Sequence, residues 1–116
     1  MKKCNIVKKK YEFDSIIKNG QILKNGYFVI YFKKNNLNIY RFGISVSKKM
    51  GNAVFRNKYK RKIRNIIDNN KKYYQNDMDY IIIMRNGCID TEFTTMEKMF
   101  ISLIKNSIFK GDSNEK

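Results

Sequence analysis

The chain has 116 residues and a formal net charge of +15, with no His, Pro or Trp and only two Cys. That length makes one domain with a modest core, and cysteines as far apart as Cys4 and Cys88 form neither a CxxC metal motif nor a disulfide framework. Without histidine, Ser-His and Cys-His nucleophile pairs and the commonest metal ligand are excluded.

The opening MKKCNIVKKK is basic but leads into no apolar h-region, and no apolar run approaches a membrane span. The reading is a cytoplasmic protein, one domain over residues 1–116 with a basic arm at 1–8. Lys9 to Asn19 predicts a short helix with Phe13, Ile16 and Ile17 on one side and Asn19-Gly20 as its stop. Tyr27 to Phe32 is wholly apolar or aromatic, which suits a strand covered on both faces or lining a cleft. The polar turn Lys33-Lys34-Asn35-Asn36 predicts a hairpin to the next strand, Ile39 to Ser47. In that strand Phe42, Ile44 and Val46 alternate with Arg41, Gly43, Ser45 and Ser47.

Ser47 to Asn52 then turns the chain, with Gly51 suited to an unusual backbone angle and Asn52 to a helix N-cap. In the helix that follows, Phe55, Tyr59, Ile63, Ile66 and Ile67 share one side. Asn57, Lys60, Arg61 and Arg64, at i, i+3, i+4 and i+7, form a separate stripe with Arg56 at its edge. Like charges at these spacings cost roughly 0.2 to 0.5 kcal/mol per pair, so the stripe costs about 1 to 2 kcal/mol. A merely solvated face interleaves both signs, yet Ser15 to Ile67 holds thirteen Lys and Arg and no Asp or Glu. Three of the five arginines lie on this helix, where a planar fork can grip a phosphate with two hydrogen bonds. The pattern points to an external polyanion. Lys48, Lys49 and the helix N-terminus offer the same ligand cations, N–H groups and a positive dipole end, and Phe13 with Tyr27 or Tyr31 could stack bases at about 1 to 3 kcal/mol each.

Asp68 to Asp79 reads as a polar connection containing Tyr73 and Tyr74, Tyr80 to Met84 as a buried strand, and Arg85 to Cys88 as a turn. Thr94 and Glu97 fit a capping box for a last helix whose Met96, Met99, Phe100, Leu103, Ile104 and Ile108 repeat as a core stripe, ahead of a frayed tail at 111–116. Asp77 and Asp79, just before the isoleucine-rich strand, are a carboxylate pair of the kind that can hold Mg²⁺, although solvated carboxylates at a strand start are the simpler reading. No phosphate loop or dinucleotide fingerprint occurs. No residue is assigned a catalytic or metal-ligating role. The charge is also uneven: residues 1–67 carry 18 basic and two acidic side chains, residues 68–116 seven and eight. The helix and strand order α, β, β, α, β, α is that of an α+β sandwich, helices on a small sheet.

The stretch RFGISVSKKMGNAVFRNKYKRKIR, Arg41 to Arg64, resembles the signature of the bacterial ribonuclease P protein subunit. The likeness extends through Lys8-Lys9-Lys10-Tyr11-Glu12-Phe13, Phe28-Val29-Ile30-Tyr31, Asp79-Tyr80-Ile81-Ile82-Ile83 and the last helix, over roughly residues 8 to 108. It implies a mixed sheet in the order α-β-β-(β)-α-β-α, with a left-handed β-α-β crossover against the usual right-handed rule, and it leaves open whether residues 21–32 form one strand or two. It implies as partners ribonuclease P RNA and precursor tRNA, with no membrane and no small-molecule substrate. The RNA subunit, holding most of the Mg²⁺, would hydrolyse the 5′ leader from precursor tRNA. The RNA-subunit contacts it implies are Lys48, Lys49, Arg56, Asn57, Lys60, Arg61 and Arg64, and the leader cleft would hold Phe13, Ile17, Tyr27 and Tyr31. Ile17 stands where the family often has a second aromatic. The competing readings are a ribosomal or general RNA-binding protein, and a nuclease working alone through Asp77 and Asp79.

Overall fold

The structure, a computed structural model, describes residues 2–114, with side chains as far as Ser107. Helix α1 (Lys10–Asn19) leads into β1 (Gln21–Lys24), β2 (Phe28–Lys34) and β3 (Arg41–Ser45), then α2 (Ala53–Asn69), β4 (Met78–Met84) and α3 (Phe93–Asn114). Residues 21–32 are therefore two strands. Their turn is held by Asn25 Oδ1, which accepts from the N–H groups of Tyr27 (2.8 Å) and Phe28 (2.9 Å).

The sheet order is β1-β2-β4-β3, with β4 antiparallel to β2 and parallel to β3. The expected hairpin between β2 and β3 is absent, because β4 inserts between them. Burial explains the choice. Every residue of β4 except Ile83 is buried, which suits a strand with neighbours on both edges, whereas β3 alternates Phe42 and Ile44 with Arg41, Gly43 and Ser45 and takes an edge. The strand also starts earlier than the isoleucine run suggests, so Asp79 lies inside it and not ahead of it. β3 and β4 are joined through α2, which makes them a β-α-β unit.

One face of the sheet presents Phe28, Ile30, Phe32, Phe42, Tyr80 and Ile82 to α2 and α3. Helix α2 buries Tyr59, Ile63, Ile66 and Ile67 there. At roughly 1.5 to 3 kcal/mol for each fully buried side chain, those four residues outweigh the repulsion along its basic stripe several-fold. Helix α3 begins at Phe93, one residue ahead of the expected cap at Thr94. The capping box does not form, since Glu97 Oε2 instead accepts from the Nδ2 of Asn70, 3.1 Å away. Helical backbone continues through Gly111 to Asn114; the last two residues of the expected tail, and the side chain of Ile108, lie outside what the structure describes.

The opposite face carries α1 and a smaller cluster of Val7, Ile16 and Ile81, with Phe13, Ile17, Tyr31 and Ile83 packed around it. Ile22, Tyr31, Ile81 and Gly43 stand in one row across all four strands on this face. Among the described residues no helix is long and apolar enough to cross a membrane.

Candidate nucleic-acid interface

The turn into α2 forms as its residues dictate. Ser47 Oγ accepts from the Lys49 N–H (3.2 Å), and Asn52 caps the helix by accepting from the Phe55 N–H (2.9 Å). Gly51 corrects the expectation of an unusual angle: its φ of 167° is extended backbone open to any residue. What requires glycine is the Phe55 ring, whose Cγ lies 2.7 Å from where a Cβ would sit. Lys48 and Lys49 are exposed on this turn.

Along α2, Asn57, Arg61 and Arg64 are exposed while Arg56 and Lys60 are half-buried. Arg41 pairs with Glu12 and Asp79, and Lys34 with Asp77, so none of these three carboxylates is spent on the stripe. Arg56 Nε is buried and has no hydrogen-bond partner. An unsatisfied buried N–H costs about 1 to 3 kcal/mol, a penalty that an incoming acceptor would remove.

The stripe does not stand apart from the aromatic residues. Lys60 and Arg64 line a hollow of about 150 Å³ together with Val7, Phe13, Gly43 and Ile44. Phe13 packs closely against the bare backbone of Gly43: a Cβ there would stand 2.6 Å from Phe13 Cζ and 2.8 Å from Ile81 Cδ1. Ile17 and Tyr31 share the cluster of Phe13 on this face, but Tyr27 packs against the larger core and does not join them. Lys48, Lys49, Arg61 and Asn57 reach solvent beyond the hollow.

A second polar cluster fixes the neighbouring part of this face. Arg41 grips Asp79 with two bonds, Nε to Oδ1 (2.9 Å) and Nη2 to Oδ2 (2.7 Å), and its Nη1 donates to Glu12 Oε2 (3.0 Å). Asn35 Nδ2 also donates to Asp79 Oδ1 (2.7 Å). The hydrogen bond to Asp79 above all, then that to Glu12, raises the Arg41 pKa further, against the lowering effect of burial. Asp79 is thus consumed by Arg41, while Asp77 lies at the surface 3.9 Å from Lys34. The two acids do not form a shared carboxylate site; Asp77 is solvated as expected, whereas Asp79 is buried, which corrects the solvated reading for that residue, and no group of three His, Cys, Asp or Glu among the described residues could hold a metal ion. Cys88 is buried, donates from Sγ to the Tyr27 carbonyl (3.2 Å), and is pushed up to about 12 by burial; it is a packing residue. Cys4 is exposed.

Sequence reasoning missed Gly43 and the Arg41 cluster. A glycine among alternating apolar residues is a legible sign of close approach. The meeting of Glu12, Arg41 and Asp79 has no local signal, because the three residues lie 29 and 38 positions apart.

Residues 1–107 match the family model described as Ribonuclease P. The chain is 42% identical over 118 residues to a ribonuclease P protein component of Streptococcus pneumoniae (strain Hungary19A-6), covering 100% of this chain and 96% of the relative. The fold superposes on the RNase P protein from Thermotoga maritima with a TM-score of 0.80 at 34% identity, over 86% of this chain and 94% of that one. The RNase P protein of Staphylococcus aureus gives 0.81 at 36% identity, over 89% and 94%.

Proposed function

Because this chain belongs to the ribonuclease P protein family, we propose that it serves its ribonucleoprotein by holding two RNAs at once, the catalytic RNA on the α2 stripe and the 5′ leader of precursor tRNA in the adjoining hollow. It is the protein subunit of an endoribonuclease whose RNA part carries out the cleavage. The observation that carries the reading is that Lys60 and Arg64 belong both to the basic stripe of α2 and to the hollow lined by Phe13.

The α2 stripe suits a folded RNA. Lys48, Lys49, Arg56, Lys60, Arg61 and Arg64 supply cations and Asn57 a neutral donor, and arginine forks match phosphate oxygens in pairs. About five such contacts would make log K fall with log salt by roughly 4. The α1 face suits a single strand of any sequence, because Phe13 and Tyr31 can stack on any base and Ile17 adds apolar contact. Tyr27, on the other side of the sheet, supports that surface from within the larger core.

Ribonuclease P depends on Mg²⁺ in general. This chain's carboxylates do not fit the ion, since both oxygens of Asp79 are held by Arg41, so the reading assigns Mg²⁺ to the RNA subunit. It also places the protein in the cytoplasm with its tRNA substrates, bound to no membrane.

The test is cleavage of a precursor tRNA at low Mg²⁺ by a bacterial ribonuclease P RNA, with and without this protein, beside the protein alone. Faster cutting at the mature 5′ end only when both are present is the expected result. Tight RNA binding without stimulation would leave a general RNA-binding protein, and cutting by the protein alone would revive a self-sufficient nuclease.

A further inference from the structure

We infer that Arg41 is a positioning residue: by bridging Asp79 on β4 to Glu12 on α1, it sets the Phe13 ring into the hollow and so governs the grip on the leader. The inference rests on the reading of that hollow as the leader site. Arg41 and Asp79 are register partners on adjacent strands, and their side chains are only 13% and 7% exposed. The doubly bonded guanidinium is therefore a fixed point of the sheet. Its remaining donor reaches Glu12, and the next residue of the helix is Phe13. One alternation further along β3 comes Gly43, on which the Phe13 ring rests. Two consecutive residues of α1 thus meet two consecutive positions on one face of β3.

The chain is tied to β3 just ahead of α1, where the Val7 N–H donates to the Phe42 carbonyl (2.9 Å), but within the first turn of the helix Glu12 makes the polar side-chain contact to the sheet. Lys9, at its N-cap, makes no side-chain capping bond, and Ile16 is the helix's only fully buried residue. Without Glu12 the turn that carries Phe13 would keep its anchors at Val7 ahead of it and Ile16 behind it, but would lose the one side-chain bond that ties the turn itself to β3. The ring would then sample positions off Gly43, and part of its stacking on a base would be lost to ordering it.

Arg41 is the wrong residue to alter, because Asp79 would be left buried without its partner. Glu12→Ala keeps that pair and removes only the bridge. The measurement is the ratio of affinities for precursor and mature tRNA, in the holoenzyme assembled with the RNA subunit, for the wild type, Glu12→Ala, Phe13→Ala and the double variant. Loss of folded protein lowers both affinities alike and leaves the ratio unmoved. The expected result is a fall of the ratio by about threefold to tenfold for Glu12→Ala, the order of one charge-assisted hydrogen bond, a fall of at least that size for Phe13→Ala, and no further fall in the double variant. A Phe13→Ala fall with no Glu12→Ala fall, or effects that multiply in the double variant, would overturn the positioning role and leave the leader site standing. An unchanged ratio for Phe13→Ala would overturn the leader site and the positioning role with it.

Discussion

The two faces of the sheet are covered to very different extents. On the α2 and α3 side, Phe28, Ile30, Phe32, Phe42, Tyr80, Ile82 and Met84 are none of them more than 3% exposed. On the α1 side only Ile81 among the apolar strand residues is so enclosed, while Val29, Tyr31 and Ile83 remain half-buried. One face holds the fold together, and the other can therefore be left open beside the cations of α2. The same division runs through α2, whose isoleucines anchor it and free its outer stripe from any structural duty.

The contrast breaks most visibly at Phe100, fully buried with its ring centroid 6.0 Å from that of Phe28. Phe100→Ala is expected to cost about 3 to 5 kcal/mol in urea unfolding. Tyr31→Ala, on the open face, should lose far less stability and instead about 1 to 3 kcal/mol of leader-dependent binding. Equal destabilisation by the two substitutions would mean that both faces carry the fold.

Arg61→Ala combined with Arg64→Ala sharpens the same contrast from the cation side. The slope of log affinity for the RNA subunit against log salt should fall by about 1.4 to 1.8, the share of two contacts. Stability should hold or rise slightly, because like-charge neighbours have been removed. An unchanged slope would remove these two residues from the interface.

The smallest effect is one of pH and belongs to the closed face. Burial raises the Cys88 pKa from 9.0 to about 12 and raises those of Tyr74 and Tyr80 in the same sense. The folded protein therefore keeps protons that the unfolded chain gives up, and stability should decline as pH rises from about 9 towards 12. Cys88→Ala should make that decline shallower in urea titrations at successive pH values. A thiol reagent at neutral pH should modify exposed Cys4 in the native protein and reach Cys88 only on unfolding.

Much of this was legible along the chain because it is written in short-range periodicity. The apolar side of α2, its Asn52 cap and the core stripe of α3 follow from spacings of three and four, and the α+β class follows from the order of the elements. The uneven charge and the Arg41 to Arg64 motif pointed to an RNA partner for a related reason: like charges gathered on one face need no knowledge of the fold to be noticed. What tertiary structure alone decided is which segments become neighbours. A two-residue period says that a strand has two faces, but not which strand lies at its edge, so the insertion of β4 between β2 and β3 could not be read from Lys33 to Asn36. The same limit hid the union of Glu12, Arg41 and Asp79, in which a carboxylate that read as solvated is the buried anchor of an arginine. Local sequence sets propensity and amphipathicity within a few residues, whereas pairing across 29 or 38 positions is settled by which burial satisfies every strand at once.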